Sequence, residues 1–126
     1  MATTELTTEN FEEVVSTNDL VLIDFWAAWC GPCRSFAPTY EKVSGLYPDA
    51  VFAKVDTEAQ QALAASFNIM SIPTLMIIRE QVVIVSQAGA LPESALVDLV
   101  EKASALDMQE IHRQVAQEQA AQATSS

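Results

Sequence analysis

Cationic side chains are scarce in this 126-residue chain: six Lys and Arg stand against seventeen Asp and Glu, for a net charge of −11. Binding to phosphate backbones or anionic bilayers rests on basic patches, so neither nucleic acid nor a membrane surface is an expected partner. Long apolar runs are missing too. The best stretch, Leu20 to Cys30, is far short of the roughly 20 residues of a membrane span and carries Asp24. The opening Met1-Ala2-Thr3-Thr4-Glu5 has no basic segment followed by an apolar one, so it is read as carrying no secretory signal, and a cytoplasmic location is expected. With two cysteines and three glycines, disulfide-scaffold and collagen-like classes are excluded. Half the residues are apolar, which makes a globular chain of about one domain.

What is present alternates between two periods. Helical spacing of Phe11, Val14 and Val15 predicts a helix over about 9–17, and the apolar run Leu20–Trp26 predicts a strand covered on both faces. A helix over 33–46 follows, with Tyr40, Val43 and Leu46 inward and a kink at Pro38; Pro48 stops it. Val51–Asp56 reads as a strand, Glu58–Phe67 as an alanine-rich helix, and Thr74–Ile78 as a strand that pairs antiparallel with Val82–Ser86. Leu91-Pro92-Glu93 opens a helix with Pro at the first helical position and Leu96, Leu99, Val100, Ala103 and Leu106 buried. Strands alternating with helices call for an α/β layer architecture. Beyond Leu106 the composition turns to Gln, Ala and Glu. Residues 1–105 are therefore read as the domain and 106–126 as a helical or frayed extension. Met108, Ile111 and Val115 there allow the last helix to continue to about 118, packed on its own domain or on a second copy, so the chain is expected to be a monomer or a weak dimer. His112 is expected to be solvated.

The two cysteines are Cys30 and Cys33, three apart. A structural zinc needs four ligands, and the single histidine, His112, lies far off in the tail, so no metal is expected. A static disulfide fits poorly with a reducing compartment. A dithiol that cycles with its disulfide fits best. Cys30 falls after a strand and at the start of a helix, where free N–H groups and the positive end of the dipole favour a thiolate. An exposed Cys30 would attack, and a shielded Cys33 one turn on would resolve the mixed disulfide.

Trp29-Cys30-Gly31-Pro32-Cys33, preceded by Asp24-Phe25-Trp26 and joined by Pro38, Lys54, Ile72-Pro73-Thr74 and Ala88-Gly89-Ala90, resembles the bacterial-type thioredoxin family across residues of about 5 to 105. The resemblance implies a thioredoxin fold, with a central mixed β-sheet flanked by helices on both faces. It implies a disulfide reductase without a cofactor, acting on disulfide-containing proteins and recharged by a thioredoxin reductase. It makes Asp24 a buried carboxylate behind Cys33 that takes and returns its proton, its pKa raised by burial and partly opposed by pairing with Lys54. It makes Pro73 cis, with the backbone of Ile72 beside the cysteines to receive an extended substrate segment. Trp29 then rims the site above Trp26, while Gly31, Pro32, Gly89 and Met70 belong to a flat apolar surface that receives partners. Two rival readings remain. A binding module that keeps the fold without turnover is disfavoured by intact Cys30, Cys33, Asp24 and Pro73. An oxidant or isomerase is disfavoured by Pro32, where such relatives usually carry His. The hairpin at Arg79-Glu80-Gln81 departs from the family in lacking Asn-Gly, which leaves its loop conformation open.

Overall fold

The computed structural model describes residues 3–124. In chain order they form β1 (Thr3–Glu5), α1 (Phe11–Thr17), β2 (Leu20–Trp26), α2 (Gly31–Ser44), β3 (Val51–Asp56), α3 (Gln61–Ser66), β4 (Thr74–Arg79), β5 (Val82–Ala88), α4 (Glu93–Ala105) and α5 (Met108–Thr124). The strands make one sheet in the order β1-β3-β2-β4-β5, with β1, β3 and β2 mutually parallel and β4 and β5 antiparallel. Side chains alternate across a strand, so β2 feeds two cores. Val21, Ile23 and Phe25 meet Val15 of α1 and Leu63 of α3, whereas Leu20 and Leu22 meet Phe36 and Tyr40 of α2 and Leu96 of α4. Asp24 takes its turn on the second of these faces, opposite Lys54 on β3 and Leu75 on β4.

Several elements differ from expectation for local reasons. Strand β1 carries no apolar pattern; it exists because β3 offers it an edge, and Leu6 then continues the pairing through a 2.8 Å bond from its N–H to the Lys54 carbonyl. Helix α2 starts at Gly31 and ends at Ser44, running through Pro38, so Leu46 lies past its end and is 57% exposed rather than inward. Helix α3 is shorter than 58–67. The Asp56 carboxylate accepts from the N–H groups of Glu58 and Ala59 and holds that stretch as a turn.

The β4–β5 loop is two residues, Glu80 and Gln81, both with positive φ (48° and 68°). That is the handedness a tight hairpin needs, reached here without Gly or Asn. Gln81→Gly is therefore expected to stabilise the protein by about 0.5 to 1 kcal/mol, since removing the Cβ strain outweighs the added chain entropy. A rise in the urea midpoint at unchanged m checks this; an unchanged or lower midpoint contradicts it.

The tail is a separate helix, not a continuation. Leu106 leaves the helix in an extended conformation (φ −63°, ψ 143°) and is 37% exposed rather than part of the fully buried stripe. Asp107 then caps α5, its Oδ1 accepting from the N–H groups of Gln109 (3.1 Å) and Glu110 (3.3 Å). Met108 is buried and Ile111 and Val115 are half-buried against the chain itself. The guanidinium of Arg79 donates to the carbonyls of Ala103, Ser104 and Leu106 at 2.9 to 3.0 Å, and His112, exposed as expected, lies 2.9 Å from Glu80. These ties hold α5 at the hairpin end of β4. The other end of β4 adjoins Pro73, about 17 Å of strand away.

Candidate active site

Chain leaving β2 must turn through Ala27-Ala28-Trp29 before α2 can begin, which places Cys30 as the N-cap of that helix. Pro32 in the first turn costs nothing, because the N–H it lacks would have had no helical acceptor. The Cys33 N–H points at Cys30 Sγ at 3.2 Å, the kind of contact that stabilises a thiolate. The two sulfurs are joined as a disulfide, with Cα atoms 5.2 Å apart. In this oxidised state Cys30 is not exposed as expected; it is 4% exposed and Cys33 2%, the pair being packed with Ala27, Trp26 and Ile72. The two still differ in direction. Cys30, not Cys33, lines an open cleft of about 660 Å³, together with Trp29, Gly31, Pro32, Met70 and Ile72.

The far wall of the site comes from the β4 entry. The Ile72–Pro73 bond is cis, and the Ile72 carbonyl lies 3.7 Å from Cys30 Sγ. Gly89 donates its N–H to the Pro73 carbonyl (2.8 Å) at φ +100°, a conformation that favours glycine, with open space where a side chain would stand. Trp29 is 66% exposed and Met70 92%, so both present apolar surface to solvent at the rim. Trp26 packs with Ala27, Cys30, Cys33 and Ile72 beneath.

Asp24 is fully buried, and burial pushes its pKa from 3.8 up to about 6, with the positive charge of Lys54 holding it lower than burial alone would. The expected pairing with Lys54 is electrostatic only. Although the two residues face each other in register, neither Asp24 oxygen has a hydrogen-bond partner, and the Lys54 ammonium sits over the Trp26 ring, 5.0 Å from its centroid. A half-buried lysine extends its stem along apolar surface and keeps its charge toward water, and the indole face offers a cation–π contact there.

Three contributors were not anticipated. Glu58 accepts the Trp29 indole N–H at 3.0 Å, Arg34 donates to the Ala28 carbonyl at 2.9 Å, and Tyr40 donates its buried hydroxyl to the Ala53 carbonyl at 2.7 Å. For Tyr40 the signal was legible: a tyrosine at a core position must find its hydroxyl a partner.

A cysteine pair closing a disulfide at a helix N-terminus, facing a cis-proline loop on a mixed sheet with helices on both sides, defines a thiol–disulfide oxidoreductase. Solved structures agree on the fold. A thioredoxin of Plasmodium falciparum superposes with a TM-score of 0.73 at 38% identity over 78% of this chain and 96% of that one. A mutant thioredoxin of Halobacterium salinarum gives 0.75 at 35% identity, covering 81% and 90%. The chain belongs to the thioredoxin family, whose model matches residues 2–102. It is 59% identical over 119 residues to "Putative thioredoxin 2" of Streptomyces coelicolor, covering 94% of this chain and 89% of that protein. It is 39% identical over 93 residues to the thioredoxin of Haemophilus influenzae, covering 72% and 87%.

Proposed function

We propose that this chain reduces protein disulfides with Cys30 as nucleophile and Cys33 as resolving thiol. The observation that carries the assignment is the orientation of the pair: Cys30 caps α2 on the cleft wall, and Cys33 lies behind it on the buried face of the helix. The Cys30 thiolate attacks one sulfur of the substrate; the S–S bond breaks and the released sulfur takes a proton. Cys33 passes its proton to Asp24 and attacks Cys30 Sγ. The second substrate sulfur leaves as a thiolate that takes up the proton Asp24 returns, and the Cys30–Cys33 disulfide closes. Two electrons have moved to the substrate, and a thioredoxin reductase returns them. The extended substrate segment pairs with the Ile72 backbone beside Pro73 and Gly89, and rests on the surface of Trp29, Gly31, Pro32 and Met70. Lys54 keeps Asp24 ionisable near neutral pH.

The site is complete within residues 1–105, and 106–126 are read as an extension, of which residues 106–124 are tied to the opposite end of β4. In a cytoplasmic setting the chain acts as a monomer or weak dimer, and the burial of Met108 within its own chain favours the monomer. Insulin reduction with dithiothreitol tests the activity and the boundary together. The full chain and a truncation after Ala105 are expected to turn over at equal rates and to sediment as monomers. No catalysis by the full chain would make it a binding module. Loss of activity in a folded truncation would place part of the chemistry in the extension, and a dimer reduced to monomer by truncation would make the α5 stripe an interface.

A further inference from the structure

We infer that Met70 is an oxidation site through which hydroperoxides weaken the docking of protein substrates at Cys30. The inference deepens the reading above and rests on substrates seating apolar surface around the cleft. Four methionines occur in the sequence, and the three among the described residues have different surroundings. Met76 of β4 and Met108 of α5 are buried, whereas Met70 is 92% exposed.

The chain is tied down on both sides of Met70, so the exposure of its side chain is built into the loop. Asn68 adopts φ 53°, which turns the backbone after α3, and the Ile69 N–H donates to the Ala64 carbonyl at 3.3 Å. Ile69 packs on the core that β2 and α3 share. On the other side the Thr74 hydroxyl donates to the Ser71 carbonyl at 2.6 Å, and Ile72 packs on the cysteine pair. Met70, held between these anchors, lines the cleft with Trp29, Cys30, Ile69 and Ile72.

A thioether at such a rim is flexible and polarizable, which lets one side chain conform to many apolar partners. It is also a nucleophile toward peroxides. The sulfur lone pair attacks one peroxide oxygen, and an S–O bond forms as the O–O bond breaks. The displaced hydroxide takes the proton of the transferred oxygen and leaves as water. Met70 is oxidised by two electrons to the sulfoxide, and the peroxide is reduced by two. The product carries an acceptor oxygen where partners bring apolar surface, and burying that oxygen without a donor opposes docking. In this state the cysteines do not compete for the oxidant, because Cys30 and Cys33 are joined and neither thiol is free. Methionine sulfoxide reductases reverse the lesion, so it can act as a switch.

The test treats the oxidised chain briefly with limiting hydrogen peroxide, maps the oxygen by mass spectrometry, then reduces the disulfide with dithiothreitol and desalts. Oxygen is expected on Met70 ahead of Met76 and Met108, with an unchanged urea midpoint. The treated chain should reduce insulin roughly three- to tenfold more slowly at low insulin concentration. Its rate with 2-hydroxyethyl disulfide, too small to span the cleft, should fall less than twofold. Met70→Leu, which keeps every other oxidisable residue, should have the same insulin rate before and after peroxide. Methionine sulfoxide reductases A and B together should restore the treated parent. Oxygen arriving on Met76 or Met108 as readily as on Met70 overturns the inference. A Met70 sulfoxide that reduces insulin as fast as the untreated chain overturns it too, as do equal losses with both disulfides, which would make the effect one on chemistry rather than docking. An untreated chain that reduces neither disulfide defeats the proposed function itself; one that reduces both, with a sulfoxide that changes neither rate, defeats only the inference.

Discussion

Asp24→Asn should stabilise the oxidised protein by about 2.5 kcal/mol more at pH 8 than at pH 4. The folded-state pKa is about 6, against 3.8 for an unperturbed aspartate, so the folded state binds the proton more tightly than the unfolded chain does. Stability conferred by the protonated carboxyl is complete only well below pH 3.8. It is lost as pH rises toward 6 and stays lost above, where a difference of about two pKa units corresponds to about 3 kcal/mol. Asparagine never ionises and escapes this loss. Urea unfolding of both proteins from pH 4 to pH 8 checks it; a constant difference across the range would mean that Asp24's charge is compensated in the folded state. The same substitution should slow disulfide reduction at pH 7 by on the order of ten- to a hundredfold, at or below the usual contribution of a placed acid or base, because water can substitute in part. A protein would then be keeping a destabilising buried charge for its chemistry, which is common at active sites.

Cys30→Ser and Cys33→Ser should fail in different ways. Serine at position 30 removes the sulfur nucleophile, so insulin reduction should fall to the uncatalysed rate. Serine at position 33 leaves the attacking thiol intact and removes the resolving one. That variant should form a mixed disulfide with insulin that persists on a non-reducing gel and dissolves in dithiothreitol. If Cys30→Ser traps substrate and Cys33→Ser does not, the two roles are exchanged.

Much of this arrangement was legible in the residues, and the exceptions share a cause. Strands β2 and β3 run over the expected residues because apolar side chains fill both faces of the central strand, a pattern few other elements produce. The cysteine pair and the cis Ile72–Pro73 bond followed from the motif. Strand β1 escaped because Thr3-Thr4-Glu5 has no pattern of its own and becomes a strand only on the edge of β3. The placement of Lys54 over Trp26, in place of a contact with Asp24, is a competition between water, an indole face and a buried carboxylate that register alone does not decide. The break before α5 was readable in principle. Asp107 followed three residues later by Glu110 is a helix-start signature, masked by the strong helix formers on either side.

The most direct test of the central claim is a brief, limiting pulse of iodoacetamide on the fully reduced chain, followed by mass spectrometry of the peptide carrying both cysteines. Cys30 caps α2 and faces the cleft, so the label should fall on Cys30 almost alone. Labelling that favours Cys33, or is shared equally between the two, would contradict the assignment of Cys30 as the attacking thiolate.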